Sequence, residues 1–398
     1  MTIRLTFATA TFMLCMAASS QNRSIRFEHG TWKETLEKAK KEHKLVFVDA
    51  YTSWCGPCKQ MARDVFTNDT AADFYNTNFI NAKIDMEKGE GPELAKTYDV
   101  GCYPNLLFID SDGKLVHRVA GSMPVQLFVE VGKRAKDDSK NFGWYVKNYE
   151  ARKTDPAFVR DYISQLTGTC LDAEKELAHY FSMQSESDLW SEANWEMMRD
   201  YTSKLDSREF NFIVNNKAKL IAKYGEEAVN GKITVLAGDA IHAIIRSKHF
   251  DQQKYDQARE QIAALNMPSA RMILFEAGLN LARQQENWKA FSEQALSGVD
   301  AFYANSADGL NSVAWDFYEQ IDDKAALAKA EEWSKHSVEL DPSYANLDTY
   351  AALLYKNGKK AEALTAANKA IETAKKEKYP AEEYKSTSEL LVKIKAMK

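Results

Sequence analysis

The segment Trp54-Cys55-Gly56-Pro57-Cys58 follows directly on the apolar run Leu45-Val46-Phe47-Val48-Asp49-Ala50. A strand that ends in a tight turn carrying two thiols leaves few choices of local fold. The turn brings the sulfurs within disulfide reach, and Lys59-Gln60-Met61 opens a helical pattern behind them. Unpaired amides at the start of that helix stabilise a thiolate on the first cysteine. Pro57 suits the first helical turn, where its missing N–H costs no hydrogen bond. The residues imply a thiol–disulfide exchange site. A bare C-x-x-C also serves zinc, so half a zinc site and a permanent disulfide stand as alternatives.

The stretch from about Arg26 to Arg134 resembles the thioredoxin family, a little over a quarter of the chain. WCGPC is that family's active-site string. Asp49 stands where the family carries a buried acid. Val100-Gly101-Cys102-Tyr103-Pro104-Asn105, followed by Leu106–Ile109, resembles its cis-proline element. Asp110-Ser111-Asp112-Gly113-Lys114 reads as a hairpin turn before Leu115–Val119, and Gln126–Val131 begins a closing helix. The resemblance implies an α/β domain with a central mixed sheet flanked by helices.

At 398 residues the chain has length for two to three domains. A net charge of −5, with no basic block and no aromatic-basic interleaving, gives no sign of nucleic-acid binding. Residues 1–20 read as a secretory signal. Arg4 supplies the positive start, Leu5–Met16 the apolar run and Ala17-Ala18-Ser19-Ser20 a cleavage site. A retained anchor and a lipidated Cys15 are the alternatives. The expected location is therefore the periplasm or another exported compartment, with no stable membrane insertion after cleavage. Four cysteines then remain, Cys55, Cys58, Cys102 and Cys170, too few for a disulfide-stapled scaffold.

Strand and helix patterns alternate through the first part. Helices are expected over Thr31–Glu42, Cys58–Thr67, Thr70–Thr77 and Glu93–Tyr98, and strands over Lys44–Ala50 and Phe79–Asp85. From about Asn141 only amphipathic helical patterns remain, so Lys136–Lys140 reads as a linker. Leu310, Val313, Ala314, Phe317, Ala330 and Ser337 follow the spacing of tetratricopeptide repeats. So do Ala351, Leu354, Gly358, Ala363, Ala367 and Ala370. The expected division is a signal over 1–20, the thioredoxin-like domain over 21–138, a helical domain over 141–305 and repeats over 306–398. The middle region reads equally as a degenerate solenoid or a separate bundle. Trp190, Trp195, Trp288, Trp315 and Trp333 are expected in helix-pair cores, with a binding groove as the alternative.

The resemblance assigns roles within the motif. Cys55 is the expected nucleophile and the more exposed thiol, and Cys58 the more buried thiol that resolves the mixed disulfide. Asp49, a charge inside an apolar strand, is the expected proton acceptor for Cys58, the alternative being a solvent-facing strand end. Lys83 either tunes Asp49 or is an ordinary solvated lysine. Trp54, Gly56, Pro57, Tyr103 and Pro104 are expected to bind substrate, with Tyr103-Pro104 cis. Cys102 reads chiefly as a tolerated small residue, with a third redox thiol or an intermolecular disulfide as alternatives, and Cys170 as a bystander. No cofactor beyond a redox-active Cys55–Cys58 disulfide and no metal are expected. The expected partners are a protein substrate carrying a disulfide or thiol and an electron donor. Two functions follow: an exported thiol–disulfide oxidoreductase whose helical part binds a partner, or a non-enzymatic adaptor using the α/β module as a platform.

Overall fold

The computed structural model describes residues 23–398, so the signal-like segment at 1–20 lies outside the described residues. The chain forms two compact units, divided between Ser191 and Glu192.

The first unit is built on five strands: β1 (Phe27–Glu28), β2 (Leu45–Tyr51), β3 (Phe79–Asp85), β4 (Asn105–Ile109) and β5 (Leu115–Ala120). Their order is β1-β3-β2-β4-β5. β3 runs parallel to β1 and β2, while β4 is antiparallel to β2 and β5. Five helices surround them: α1 (Trp32–Glu42), α2 (Gly56–Gln60), α3 (Asp69–Asn78), α4 (Gly91–Thr97) and α5 (Val125–Ala135). These elements fall where the sequence patterns put them, with the two-residue β1 in addition. Thr31 caps α1 in a reciprocal capping box with Glu34.

β2 lies at the centre of the sheet and is covered on both faces, as its continuous apolar run requires. Side chains alternate along it. Val46, Val48 and Ala50 join one core with Ile80, Ala82, Leu107 and Ile109. Phe47 joins the other with Phe66, Tyr75, Phe108 and Phe128. Tyr75 and Phe128 stack there at 4.0 Å between ring centroids. Losing Phe47 to alanine costs about 3–5 kcal/mol at such a site.

The first unit does not stop near Lys140. Helices α6 (Phe142–Arg152), α7 (Pro156–Thr167) and α8 (Glu174–Ser182) belong to it. Three contacts hold them. The Phe142 amide donates to His117 Nδ1 at 3.1 Å, the Ala120 amide to the Gly168 carbonyl at 3.4 Å, and Cys102 is bonded to Cys170. The approach of α6 to β5 is close enough that a Cβ at Gly143 would sit 3.0 Å from the Val116 carbonyl oxygen. The compact unit therefore runs on past the expected boundary at 138–141, to Ser191. The polar run Lys136–Lys140 is a tight connection inside one unit, with Lys140 N bonded to the Asp137 carbonyl. The expected 141–305 domain is divided at the same junction.

The second unit is helical throughout: α9 (Glu192–Tyr201), α10 (Arg208–Asn215), α11 (Lys217–Tyr224), α12 (Glu226–Ile245), α13 (Gln252–Ala264), α14 (Pro268–Gln284), α15 (Trp288–Phe302), α16 (Ala307–Gln320), α17 (Lys324–Leu340), α18 (Tyr344–Lys356), α19 (Lys360–Lys376) and α20 (Lys385–Ala396). Of the repeat-spaced apolar and small residues from Leu310 to Ala370, all but the exposed Gly358 are buried. Gly358 takes a φ of +78° in the turn between α18 and α19, which explains glycine there. Trp195 and Trp333 are buried, whereas Trp190, Trp288 and Trp315 are half-buried. Among the described residues, α12 is long and apolar enough to cross a membrane by length and composition. In this structure it packs against α10, α11, α13 and α14.

Candidate active site

Cys55 ends the β2 turn as the N-cap of α2, with an extended backbone. Its Sγ accepts a hydrogen bond from the Cys58 amide at 3.1 Å. The two cysteines are joined, with 1.99 Å between the sulfurs. Pro57 occupies the first turn as its geometry favours. The helix then widens into a π-turn over Met61–Val65. Gly56 and Pro57 are exposed.

The expected contrast in exposure between the thiols is corrected. Cys55 is 3% exposed and Cys58 2%. In the bonded form the Cys55 sulfur is turned in over the first helical turn, towards Cys58 and its amide. Trp54 is the prominent surface, at 65% exposure. Its ring stands edge-on to Tyr103 at 6.0 Å, and its Nε1 donates to Glu87 Oε1 at 3.0 Å. The Tyr103–Pro104 peptide is cis. The two loops expected to meet substrate thus touch through Trp54 and Tyr103.

Asp49 lies on the same side of β2 as Phe47 and is fully buried. Burial pushes its carboxyl up to about 6, and the Lys83 ammonium partly opposes that rise. Lys83 Nζ lies 3.2 Å from Asp49 Oδ2, an ion pair without good hydrogen-bond geometry. The same ammonium sits 4.8 Å from the centroid of the Tyr51 ring. The reading in which Asp49 faces solvent is excluded, and Lys83 is the residue that meets its charge. A carboxyl held near 6 can take or give a proton at neutral pH.

Sequence reasoning missed two supports of the Tyr103-Pro104 loop and the partner of Trp54. Arg118 on β5, 1% exposed, donates through its two terminal nitrogens to the carbonyls of Tyr98 at 2.8 Å and Asp99 at 3.0 Å. Cys102 is neither a spare thiol nor a merely tolerated small residue, and Cys170 is not a bystander. They form a second disulfide across a separation of 68 residues. An even number of cysteines after the signal-like segment was the available clue. Glu87, the partner of Trp54, carried no sequence signal. Among the described residues no group of three or more His, Cys, Asp or Glu side chains is placed to hold a metal.

Residues 32–136 match the family model described as a thioredoxin-like domain. Thioredoxin H1 of Arabidopsis thaliana is 32% identical over 103 residues, which make up 26% of this chain and 84% of that protein. Thioredoxin H-type 2 of Nicotiana tabacum is 31% identical, over 27% of this chain and 86% of its own. The chain belongs to the thioredoxin family. Thioredoxin-2 of Pyricularia oryzae is also similar, at 33% identity over 24% of this chain, which spans only 51% of that protein. A solved Bacteroides thetaiotaomicron protein, described as a candidate disulphide-isomerase, is 44% identical. That match covers 29% of this chain and 96% of its own, with a TM-score of 0.28. Each of these matches covers less than a third of the chain. The chemistry of this thioredoxin-family chain is that of a thiol–disulfide oxidoreductase, with Cys55 and Cys58 as its redox pair.

Proposed function

We propose that the chain is an exported enzyme that reduces or isomerises disulfides of a protein substrate. Cys55 attacks as thiolate, forms a mixed disulfide and releases one substrate thiolate. Cys58 then attacks Cys55, freeing the second substrate sulfur and leaving the Cys55–Cys58 disulfide. Asp49 accepts the Cys58 proton. Trp54, Gly56, Pro57, Tyr103 and Pro104 form the docking surface. A dithiol donor restores the pair. The observation that carries this reading is the Cys55–Cys58 disulfide on the first turn of α2, beneath an exposed Trp54 that touches the Tyr103-Pro104 loop.

Export is supported by the signal-like residues 1–20 and by the second disulfide, a bond that persists in oxidising compartments. In this reading the second unit is a tetratricopeptide-like platform that binds the partner or substrate and raises its concentration near Cys55. The adaptor reading makes the opposite forecast for one assay. With dithiothreitol as donor, the protein is expected to accelerate insulin disulfide reduction and Cys55→Ser to abolish the effect. Equal rates for the two proteins would sink the enzyme reading and leave the adaptor. Trapping mixed disulfides with Cys58→Ser then identifies the substrate.

A further inference from the structure

The chain holds two disulfides, and the one outside the WCGPC motif is the more open to solvent. Cys55 and Cys58 are both buried, whereas Cys170 is exposed and Cys102 half-exposed. Gly101 and Gly168, beside them, are exposed as well. Cys170 adopts the left-handed region at a φ of +58°, a conformation uncommon for a residue with a side chain. Accessible disulfides are the ones that exchange, because a thiolate must reach one sulfur along the bond axis.

Cys102 is the neighbour of Tyr103, and Tyr103 carries both the cis bond to Pro104 and the contact with Trp54. The loop is held from two directions. Arg118 grips the carbonyls of Tyr98 and Asp99 from within. The Cys102–Cys170 bond ties its outer side to the turn between α7 and α8. Arg118 is sealed in the interior, so only the disulfide is open to chemical change.

We infer that Cys102–Cys170 is a second thiol–disulfide exchange site whose oxidation state sets how firmly the Tyr103-Pro104 loop is presented to protein substrates. The inference rests on the proposed exchange function at Cys55. Its reductant is a dithiol. One donor thiolate attacks the Sγ of the exposed residue Cys170, forming a mixed disulfide while Cys102 Sγ leaves as a thiolate and takes up a proton. The second donor thiol gives up its proton and attacks the donor sulfur of the mixed disulfide. Cys170 leaves as a thiolate, which is protonated in turn. Two electrons and two protons pass to the cysteine pair, and the donor becomes a disulfide. The loop then keeps its inner hold and loses its outer one.

The test uses the whole chain from residue 21 in graded ratios of reduced to oxidised dithiothreitol. Acid quench, alkylation and peptide mass spectrometry score each cysteine pair separately. Cys102–Cys170 is expected to open at ratios where the far-ultraviolet circular dichroism is unchanged. A Cys102→Ser/Cys170→Ser protein is expected to show a KM for a protein disulfide raised about fivefold, with kcat on a small disulfide unchanged. A pair that stays closed until the fold is lost would make it a structural staple and overturn the inference. So would an unchanged KM in a Cys102→Ser/Cys170→Ser protein that folds. Should the double variant fail to fold, the titration of the unsubstituted chain decides alone. Failure of the exchange reading at Cys55 is visible separately, as absent turnover of small disulfides in the unsubstituted chain.

Discussion

Lys83 Nζ stands 3.2 Å from the Oδ2 atom of the fully buried Asp49. The ammonium is partly open to water while the carboxylate has no other partner among the described residues, so the pair does not cancel the cost of burial. Its outcome is a carboxyl held at about 6 rather than 3.8. The rate of disulfide reduction is therefore expected to rise as pH passes through 6, when Asp49 becomes the base. Asp49→Asn is expected to remove that inflection and slow turnover about 10²-fold at pH 7. Stopped-flow reduction from pH 5 to 8 measures both. A profile unchanged in the asparagine variant removes Asp49 from the proton path.

The same carboxyl affects stability with a definite sign. A folded pKa above the unfolded value favours the fold below about 3.8, and the advantage is lost as pH rises through 6. Asp49→Asn is thus expected to stabilise the oxidised protein at pH 7 by about 1–3 kcal/mol. Urea unfolding of the two proteins at pH 4 and pH 7 tests this, with the difference confined to the higher pH.

His117 acts in the opposite direction. It is buried, accepts from the Phe142 amide and is pushed down to about 3. Its neutral form is the one the fold holds, so stability is present above 6.5 and is lost as pH falls towards 3. The displacement corresponds to roughly 5 kcal/mol. Replacing His117 by asparagine, which does not titrate, is expected to flatten the acid limb of the stability profile between pH 6 and 4. An acid limb as steep in His117→Asn as in the parent protein places the acid sensitivity elsewhere.

Trp54 offers a ring steadied by Tyr103 and Glu87. Trp54→Ala is expected to raise KM for a protein disulfide about tenfold while sparing kcat on a small disulfide, as loss of an aromatic anchor does. Equal losses on both substrates mean that Trp54 shapes the motif itself.

Truncation separates the two boundaries. A chain of residues 23–191 is expected to fold and to reduce small disulfides. A chain ending at Lys140 lacks Cys170 and the Phe142 amide. Closing a loop of 68 residues contributes about 4 kcal/mol on the chain-entropy account, so the shorter chain is expected to unfold at clearly lower urea. Equal midpoints for the two would restore the boundary at 138–141.

The sequence revealed what rests on local pattern. The β2 run, the Pro57 turn and the α1 pattern each show in a window of a few residues, and each lies where the pattern put it. Asp49 was legible because a charge inside an apolar strand needs a reason. What escaped was carried by distant pairs. Cys102 and Cys170 lie 68 residues apart, and nothing near either one announces the other. The switch from strands to helices at Lys136–Lys140 gave no sign that the compact unit continues to Ser191. The hold of α6 on β5 comes from single contacts at His117 and Gly143.

Arg118 has a consequence for variation within this part of the chain. Its guanidinium grips main-chain oxygens, which every residue type supplies. The main chain at Tyr98 and Asp99, where the loop begins, is therefore held from β5 through atoms that any substitution there would keep. In a library of point substitutions position 118 should tolerate almost nothing, because among the described residues no other side chain reaches both carbonyls from within. Selection can then retune the residues that face a substrate without rebuilding the loop that presents them.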